Sequence, residues 1–389
     1  MPNLSRHKPL IYEITSGVVR RRLYLDWVLS HFVKRTMDRD VRFLLWMTLY
    51  QVFFMRKAAY HVAGEAVDYA KREKGQTVAN FVNAVLRRSI RERADLALPV
   101  DPATRLSVEQ SFPLWLVRRW LGKFGPKGAR ELLDLLNRTP EFCLRIDPRR
   151  IPREEVEARL AHMGIKTRSG RFLKSAVYVD RMGPLVADDL LKEHLVHVQD
   201  ESSQLAVVAL APQPHERTLD ACAGRGTKTD QMAEANPKGR IVAMDVDRKK
   251  LISVRGASGL IQGDVLKNPF KNEVFDSILL DAPCSCLGII RKHPEIRWRL
   301  READIARHGA LQRGMIEALS RNLKSGGRLV YSVCSFEPEE TVEVVEAVSR
   351  RGFMKLQDPL PGLMGGPYFL SLPHVTGMDG FFIAALRKP

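Results

Sequence analysis

From Val198 onward, short apolar runs alternate with helix-patterned stretches, and the runs end in acids, glycines or cysteines. Thr218-Leu219-Asp220-Ala221-Cys222 enters Ala223-Gly224-Arg225-Gly226-Thr227-Lys228, Ile241 to Asp245 is the next run, and Ile261-Gln262-Gly263-Asp264 ends a third. Ile278-Leu279-Leu280 leads into Asp281-Ala282-Pro283-Cys284, Gly327 to Val333 stops at Cys334, and Phe381 to Leu386 closes the series, with Leu205 to Leu210 read as a helix. This alternation predicts an α/β domain built on a doubly wound, Rossmann-like sheet. Ligands of such sheets bind outside the carboxyl ends of the strands. Two strands are therefore expected to deliver Cys284 and Cys334 to one ligand-binding edge.

The chain ahead of Val198 follows different patterns. Residues 10 to about 135 show helical spacing: Ile14, Val18, Leu25 and Val28-Leu29, then Ala66, Val67 and Ala70. Phe43 to Met55 is apolar nearly all round, which suggests the central helix of a bundle. Asn80 to Arg88 opens on a cap-type residue and ends in cations, as helices do. Pro99 and Pro102 interrupt the pattern, and helices resume at Pro113 to Val117 and Ala129 to Leu136. Strand-like Phe142 to Ile146 and Val177 to Val179 then flank a helical Arg153 to Met163. We draw an all-α domain over 1–138, a small α/β subdomain over 139–196 and the doubly wound domain over 197–389. A length of 389 residues accommodates two to three domains.

The formal net charge of +17 points to a polyanionic partner, nucleic acid or an anionic membrane. The most apolar stretch, Phe43 to Met55, contains Gln51 and is shorter than the ~20 residues that span a bilayer. The amino-terminal MPNLSRHKPLIYEI lacks an apolar signal core. Nucleic acid is the expected partner, with Arg20, Arg21, Arg22, Lys34, Arg35, Arg87, Arg88, Arg91 and Arg93 offering a docking surface. Five cysteines are too few for a disulfide framework in a chain of this length, so a reducing, cytoplasmic setting is expected. Cys284-x-Cys286 is the one close-set pair, and no Cys-x-x-Cys accompanies it, so no metal is expected; nor is an oligomer.

Gly224 and Gly226 follow a strand and allow a tight turn against a ligand, and Asp245, at the next strand end, is placed to bond a ribose diol. The spacing matches neither G-x-x-x-x-G-K nor a three-glycine dinucleotide fingerprint. A nucleoside without a pyrophosphate remains, and S-adenosylmethionine is the leading candidate. Asp264 is placed to bond the adenine amino group, or to cap a turn. Asp281, at the pocket mouth, can bond the edge of a flat base, or close an Asx turn.

The paired cysteines suit one further chemistry. Carbon 5 of cytosine is a poor nucleophile until a thiolate adds to carbon 6 and makes it enamine-like. It can then attack a methyl sulfonium, after which a base removes the carbon 5 proton so that the thiol leaves. Lys228, Arg291 and Lys292 are candidate cations for raising the thiolate fraction.

At these residues the chain resembles the Sun/Fmu family of RNA cytosine-5 methyltransferases. Asp281-Ala282-Pro283-Cys284-Ser285 is similar to that family's fourth motif, and Tyr331-Ser332-Val333-Cys334-Ser335 with Pro338-Glu339-Glu340 to its sixth. Val198 to Leu205, Gly288 to Trp298 and Met378 to Phe382 resemble the segments around them, and residues 10–135 resemble a NusB-type helical domain. The resemblance implies a class I S-adenosylmethionine-dependent fold behind an RRM-like subdomain, acting on 16S rRNA. It implies Cys334 as nucleophile, Cys284 as the group assisting product release, and Asp281 at the cytosine edge. Cys222, Ala223, Gly224, Arg225, Gly226, Thr227, Lys228, Asp245, Asp264 and Asp281 would line the cofactor site. Lys228, Pro283, Arg291, Lys292 and His293 are the expected substrate contacts. Arg225 and Thr227 replace the family's proline and glycine, Cys286 and Leu287 replace small residues, and the Asp245–Asp264 segment is shortened, which clips its helix. Arg291, Lys292, His293, Arg297, Arg299 and Arg301 crowd one segment as candidate phosphate contacts, with Trp298 expected in the core. The rival readings are an exocyclic amino methyltransferase, disfavoured because the second proline and aromatic are missing after Asp281, a tRNA enzyme, and a non-catalytic RNA-binding assembly factor.

Overall fold

The computed structural model describes residues 8–363 and 365–389; residues 1–7, half of the segment read for a signal core, lie outside the described residues. One compact unit takes in the chain up to Arg138 together with His293–Arg299, and the other comprises Thr139–Lys292 and Leu300–Pro389. Among the described residues no helix is long and apolar enough to cross a membrane.

The first unit is helical: α1 Lys8–Phe32, α2 Arg39–Phe53, α3 Ala59–Lys74, α4 Gln76–Glu92, α5 Pro102–Gln110 and α6 Leu114–Leu136. Asp38 starts α2 by accepting from the backbone N–H groups of Asp40 and Val41. Leu25, Leu45, Leu49 and Leu86 are fully enclosed in one core. Each such burial contributes roughly 1.5–3 kcal/mol. Phe43 and Met47 face outward, so α2 has a solvent side and is not apolar-packed all round. Asn80 does not cap a helix. Gly75, at φ 89°, both ends α3 and precedes α4, so Asn80 lies inside α4 and accepts from Gln76 Nε2. Helix α6 breaks at Gly125 (φ 68°), immediately before Pro126, whose ring cannot continue the hydrogen-bond ladder.

The His293–Arg299 segment packs in this helical unit. Arg297 is fully buried: its Nη1 donates to the carbonyls of Arg20 and Ser111 and to Asn137 Oδ1, and its guanidinium lies 3.7 Å from the centre of the Phe112 ring. This removes Arg297 from the candidate phosphate contacts. Trp298 is half-buried, and its indole N–H donates to the Val19 carbonyl.

The second unit holds two sheets. The smaller runs β2-β3-β1-β4, where β1 is Phe142–Ile146, β2 Thr167–Ser169, β3 Ala176–Val179 and β4 Val196–Val198; all its pairings are antiparallel. Helix α7 (Arg153–His162) covers one face with Val156 and Leu160. The larger sheet runs β10-β12-β9-β8-β5-β6-β7, with β11 paired to β12. Its strands are β5 Arg217–Asp220, β6 Arg240–Asp245, β7 Gly259–Gln262, β8 Phe275–Asp281, β9 Leu323–Val333, β10 Lys355–Gln357, β11 Phe369–Ser371 and β12 Phe381–Arg387. Strands β5 to β9 are parallel along this order, and β12 returns antiparallel to β9. Leu205, Ala206 and Leu210 of the Glu201–Leu210 helix cover one face, against Leu279, Val330 and Ile383. Ile316 and Leu319 of the Glu302–Asn322 helix join Val344 and Val345 of the Val342–Arg350 helix on the other, against Leu280, Leu329 and Phe382. Side chains of a strand alternate between the two faces, so both faces are apolar and the strand ends hold the polar residues. The shortened segment after Asp245 forms only a four-residue helix, Arg248–Leu251.

Candidate active site

The site lies at the carboxyl ends of β5, β6, β8 and β9. Register pairs Asp281 with Ser332, so the residues just beyond each strand emerge side by side. Asp281 accepts from Ser332 Oγ (2.7 Å) and from Lys228 Nζ (2.6 Å). Beyond these strand ends, the Sγ atoms of Cys284 and Cys334 come within 3.4 Å. Cys286 Sγ is 3.9 Å from Cys284 Sγ. The predicted convergence of two strand-end cysteines is thus realised across fifty residues of chain.

One carboxylate joins the two cysteine loops. Glu340 accepts from the Ser285 backbone N–H (2.6 Å), from Ser285 Oγ (2.5 Å) and from Ser335 Oγ (2.5 Å). Burial raises its pKa against the pull of those bonds. Sequence inspection missed Glu340 and both serines as functional candidates. The available signal was the repeated Cys-Ser at 284–285 and 334–335, followed by an acid in a Pro-Glu-Glu turn. Gly288 closes the same assembly: its N–H donates to the Cys334 carbonyl, and its carbonyl accepts from Gly380 N–H.

The surroundings of both central thiols disfavour the thiolate. Contacts with Cys286 and Cys334, then burial, push the Cys284 pKa up. For Cys334 the Cys284 bond pulls downward, but Cys286, burial and the Asp281 charge outweigh it. Each of the three candidate cations holds another partner. Lys228 bonds Asp281, Arg291 Nη2 donates to the Thr139 carbonyl, and Lys292 is held by Asp379 (2.6 Å) and Asp200 (3.2 Å). Within that triad, burial and the neighbouring Asp200 push Asp379 up to about 7, although Lys292 opposes the shift.

The loop after β5 has the backbone that a close ligand approach requires. Gly224 (φ 56°) and Gly226 (φ 88°) both take left-handed conformations, and a Cβ on Gly226 would stand 2.9 Å from Val254 Cα. Gly224 N–H donates to Asp245 Oδ2, which locks the loop to the end of β6. Cys222 is half-buried; partial burial, then the charges of Asp220, Asp281, Asp245 and Asp264, raise its pKa. Asp264 is exposed and also caps its own turn through Leu266 N–H. Arg225 and Pro283 are exposed, and His293 belongs to the helical unit. Asp220, passed over in the sequence, is fully buried; its Oδ2 accepts from Thr229 Oγ1 while Oδ1 has no partner. Burial raises its carboxyl to about 7. A glycine-turned loop, a strand-end acid and an unpaired buried carboxylate oxygen fit a nucleoside-bearing cofactor.

Fold and site together define a class I S-adenosylmethionine-dependent methyltransferase with a two-cysteine centre. Residues 207–387 match the family described as 16S rRNA methyltransferase RsmB/F, residues 2–91 the NusB family, and residues 112–185 the RsmF/B ferredoxin-like domain. The chain is 31% identical over 411 residues to the probable ribosomal RNA small subunit methyltransferase B of Bacillus subtilis (strain 168), covering 98% of this chain and 91% of the relative. It is 33% identical over 399 residues to ribosomal RNA small subunit methyltransferase B of Serratia proteamaculans (strain 568), with the same coverage. The crystal structure of PH0851 superposes with a TM-score of 0.84 at 25% identity, covering 98% of this chain and 90% of the other. The chain belongs to the RsmB/F branch of the Sun/Fmu family of rRNA methyltransferases.

Proposed function

We propose that this protein transfers a methyl group from S-adenosylmethionine to carbon 5 of a cytidine in 16S rRNA. The observation that carries this reading is the 3.4 Å approach of Cys284 and Cys334 on loops joined by Glu340. The cofactor, held by Cys222 to Lys228, Asp245 and Asp264, supplies an electrophilic methyl sulfonium.

Cys334 is the nucleophile: its thiolate bonds carbon 6 of the cytosine and turns carbon 5 into the attacking atom. Asp281, positioned by Lys228 and Ser332, holds the base edge. After methylation a base removes the carbon 5 proton, the Cys334–carbon 6 bond breaks, and Cys284, adjacent to that bond, assists the release. The target base must leave its stack to reach a strand-end pocket, at a cost of a few kcal/mol that is lowest in a loop. The helical domain and the small α/β subdomain dock the RNA, with Arg87, Arg91 and the exposed Tyr60 of the helical domain as phosphate and stacking contacts.

The test is a denaturing gel of Cys284→Ala produced in cells. A slowly migrating species that collapses with ribonuclease, and is absent from Cys284→Ala/Cys334→Ala, is the expected outcome. A folded, cofactor-binding Cys284→Ala that accumulates no such species would refute the assignment of Cys284 to release.

A further inference from the structure

Three thiols, not two, converge at the reactive centre. The Sγ atoms of Cys284, Cys286 and Cys334 all lie within 4.8 Å of one another, with individual separations of 3.4 Å (Cys284–Cys334) and 3.9 Å (Cys284–Cys286). An ion that binds thiolates at about 2.3 Å in a tetrahedral array seats its sulfurs about 3.8 Å apart. The observed separations bracket that value, so an ion needs only small side-chain movements to engage all three sulfurs.

The backbone holds this arrangement independently of any ion. Cys286 takes a left-handed conformation (φ 59°), and its Sγ approaches the Cys284 carbonyl at 3.4 Å. Ser285, between the two cysteines, is clamped by Glu340, which also holds Ser335 beside Cys334. Cys334 is in addition fixed through its carbonyl to Gly288. Among the described residues, this is the one cluster of three such donor side chains close enough to share an ion. Close spacing along the sequence could not reveal it, because the third sulfur arrives from another strand.

We propose that Cys284, Cys286 and Cys334 form a three-sulfur site for a thiophilic d10 cation, Zn2+, with the fourth position left to water. An all-sulfur set selects soft or borderline ions and rejects Mg2+ and Ca2+, which take oxygen. Binding breaks three S–H bonds, forms three S–Zn bonds and releases three protons to solvent, and no electron is transferred. Ion binding rests on the sulfur geometry alone. Its consequence rests on the function proposed above: a Cys334 sulfur bonded to Zn2+ shares a lone pair with the ion and adds to carbon 6 less readily, so the ion acts as a reversible brake on the nucleophile.

The experiment uses the full chain, reduced with a phosphine and handled without oxygen, titrated with Co2+ as the spectroscopic stand-in for Zn2+. One equivalent should produce intense thiolate-to-cobalt charge-transfer absorption, abolished by one equivalent of Zn2+. Cys286→Ser and Cys334→Ser should each weaken Co2+ binding at least tenfold, while Cys143→Ser, a buried thiol outside the cluster, should bind as the parent does. Thermal unfolding of each variant shows whether it has folded. If Cys286→Ser does not fold, Cys286→Ala carries the same test. Charge-transfer bands that persist unchanged in folded Cys286 and Cys334 variants, or that never form, overturn the site. No RNA or methyl donor enters the measurement, so its failure and a failure of the methyltransferase reading are distinguishable.

Discussion

At the residue scale, two buried carboxylates make different demands. Glu340 satisfies three donors at once and so sets the spacing of the cysteine loops. Leaving one buried donor unpaired costs about 1–3 kcal/mol. Glu340→Ala is therefore expected to lower stability by about 3 kcal/mol and to reduce kcat at least tenfold with cofactor affinity nearly unchanged. Glu340→Gln keeps an acceptor and should recover part of both. Equal kcat in Glu340→Ala and parent, measured on the same rRNA, would show that Glu340 does not set the reactive spacing. Asp220 predicts a pH effect. Its carboxyl is raised by burial to about 7 from the ordinary 3.8. Between those values the folded chain keeps a proton that the unfolded chain has lost. The stability contributed by Asp220 is thus complete below about pH 4 and is lost as the pH rises through 7. Relative to Asp220→Asn, the parent should lose about 2–4 kcal/mol between pH 4.5 and pH 8, because each tenfold difference in proton affinity between folded and unfolded chain is worth about 1.4 kcal/mol. Denaturant titrations at the two pH values check this, and parallel pH profiles for the two proteins would count against it.

At the scale of elements, the active edge depends on backbone closeness as much as on side chains. A Cβ on Gly288 would overlap the Gly380 carbonyl oxygen and stand 2.9 Å from the Cys334 carbonyl oxygen. Gly288→Ala must push the Leu287–Ile289 turn away from both segments. It should destabilise the protein by at least about 2 kcal/mol, as overpacking does, and displace Cys334. Thermal unfolding and single-turnover methylation report the two effects separately; a variant as stable and as active as the parent would contradict this packing. The central strands were legible because parallel strands covered on both faces read as continuous apolar runs, and β8 and β9 show this in Ile278-Leu279-Leu280 and Leu329-Val330-Tyr331. Their ends were legible for the same reason, since a run that stops at an acid or a cysteine marks where the chain leaves the core. The short β2 and β10 were not, being three residues each with mostly exposed polar side chains and no periodic signal. The start of α4 was misplaced because a glycine, not Asn80, sets it. Arg297 was illegible in principle, and Glu340 left only the trace of a Pro-Glu-Glu turn behind a repeated Cys-Ser. What buries Arg297 is a ring at Phe112 and carbonyls at Arg20 and Ser111, and what holds Glu340 is a pair of serines fifty residues apart. The environment of Arg297 has no local sequence signature.

For the whole molecule, charge decides how the partner is met. The net charge of +17 is distributed in part on α4, where Arg87 and Arg91 line a surface pocket with Tyr60 and His61. Some of the basic residues are withdrawn from this role. Arg297 is buried, and Lys292 is bound by two carboxylates. The charge available to RNA is thus smaller than composition alone suggests, and its location is testable. Each phosphate neutralised on a single strand contributes about −0.7 to the slope of log affinity against log salt. Four contacts give a slope near −3, so a rise from 50 to 200 mM salt should weaken binding of a 16S rRNA fragment about 50-fold. Arg87→Glu/Arg91→Glu should weaken binding at low salt and make the slope shallower by about one to two units, while leaving S-adenosylmethionine affinity unchanged, since both residues belong to the helical unit. The measurement is fluorescence anisotropy at four salt concentrations for parent and variant. A parent slope near zero would mean that shape and stacking, not phosphate contacts, dominate the docking. A steep parent slope left unchanged by the double variant would move the phosphate contacts off α4 and onto other basic surfaces of the chain.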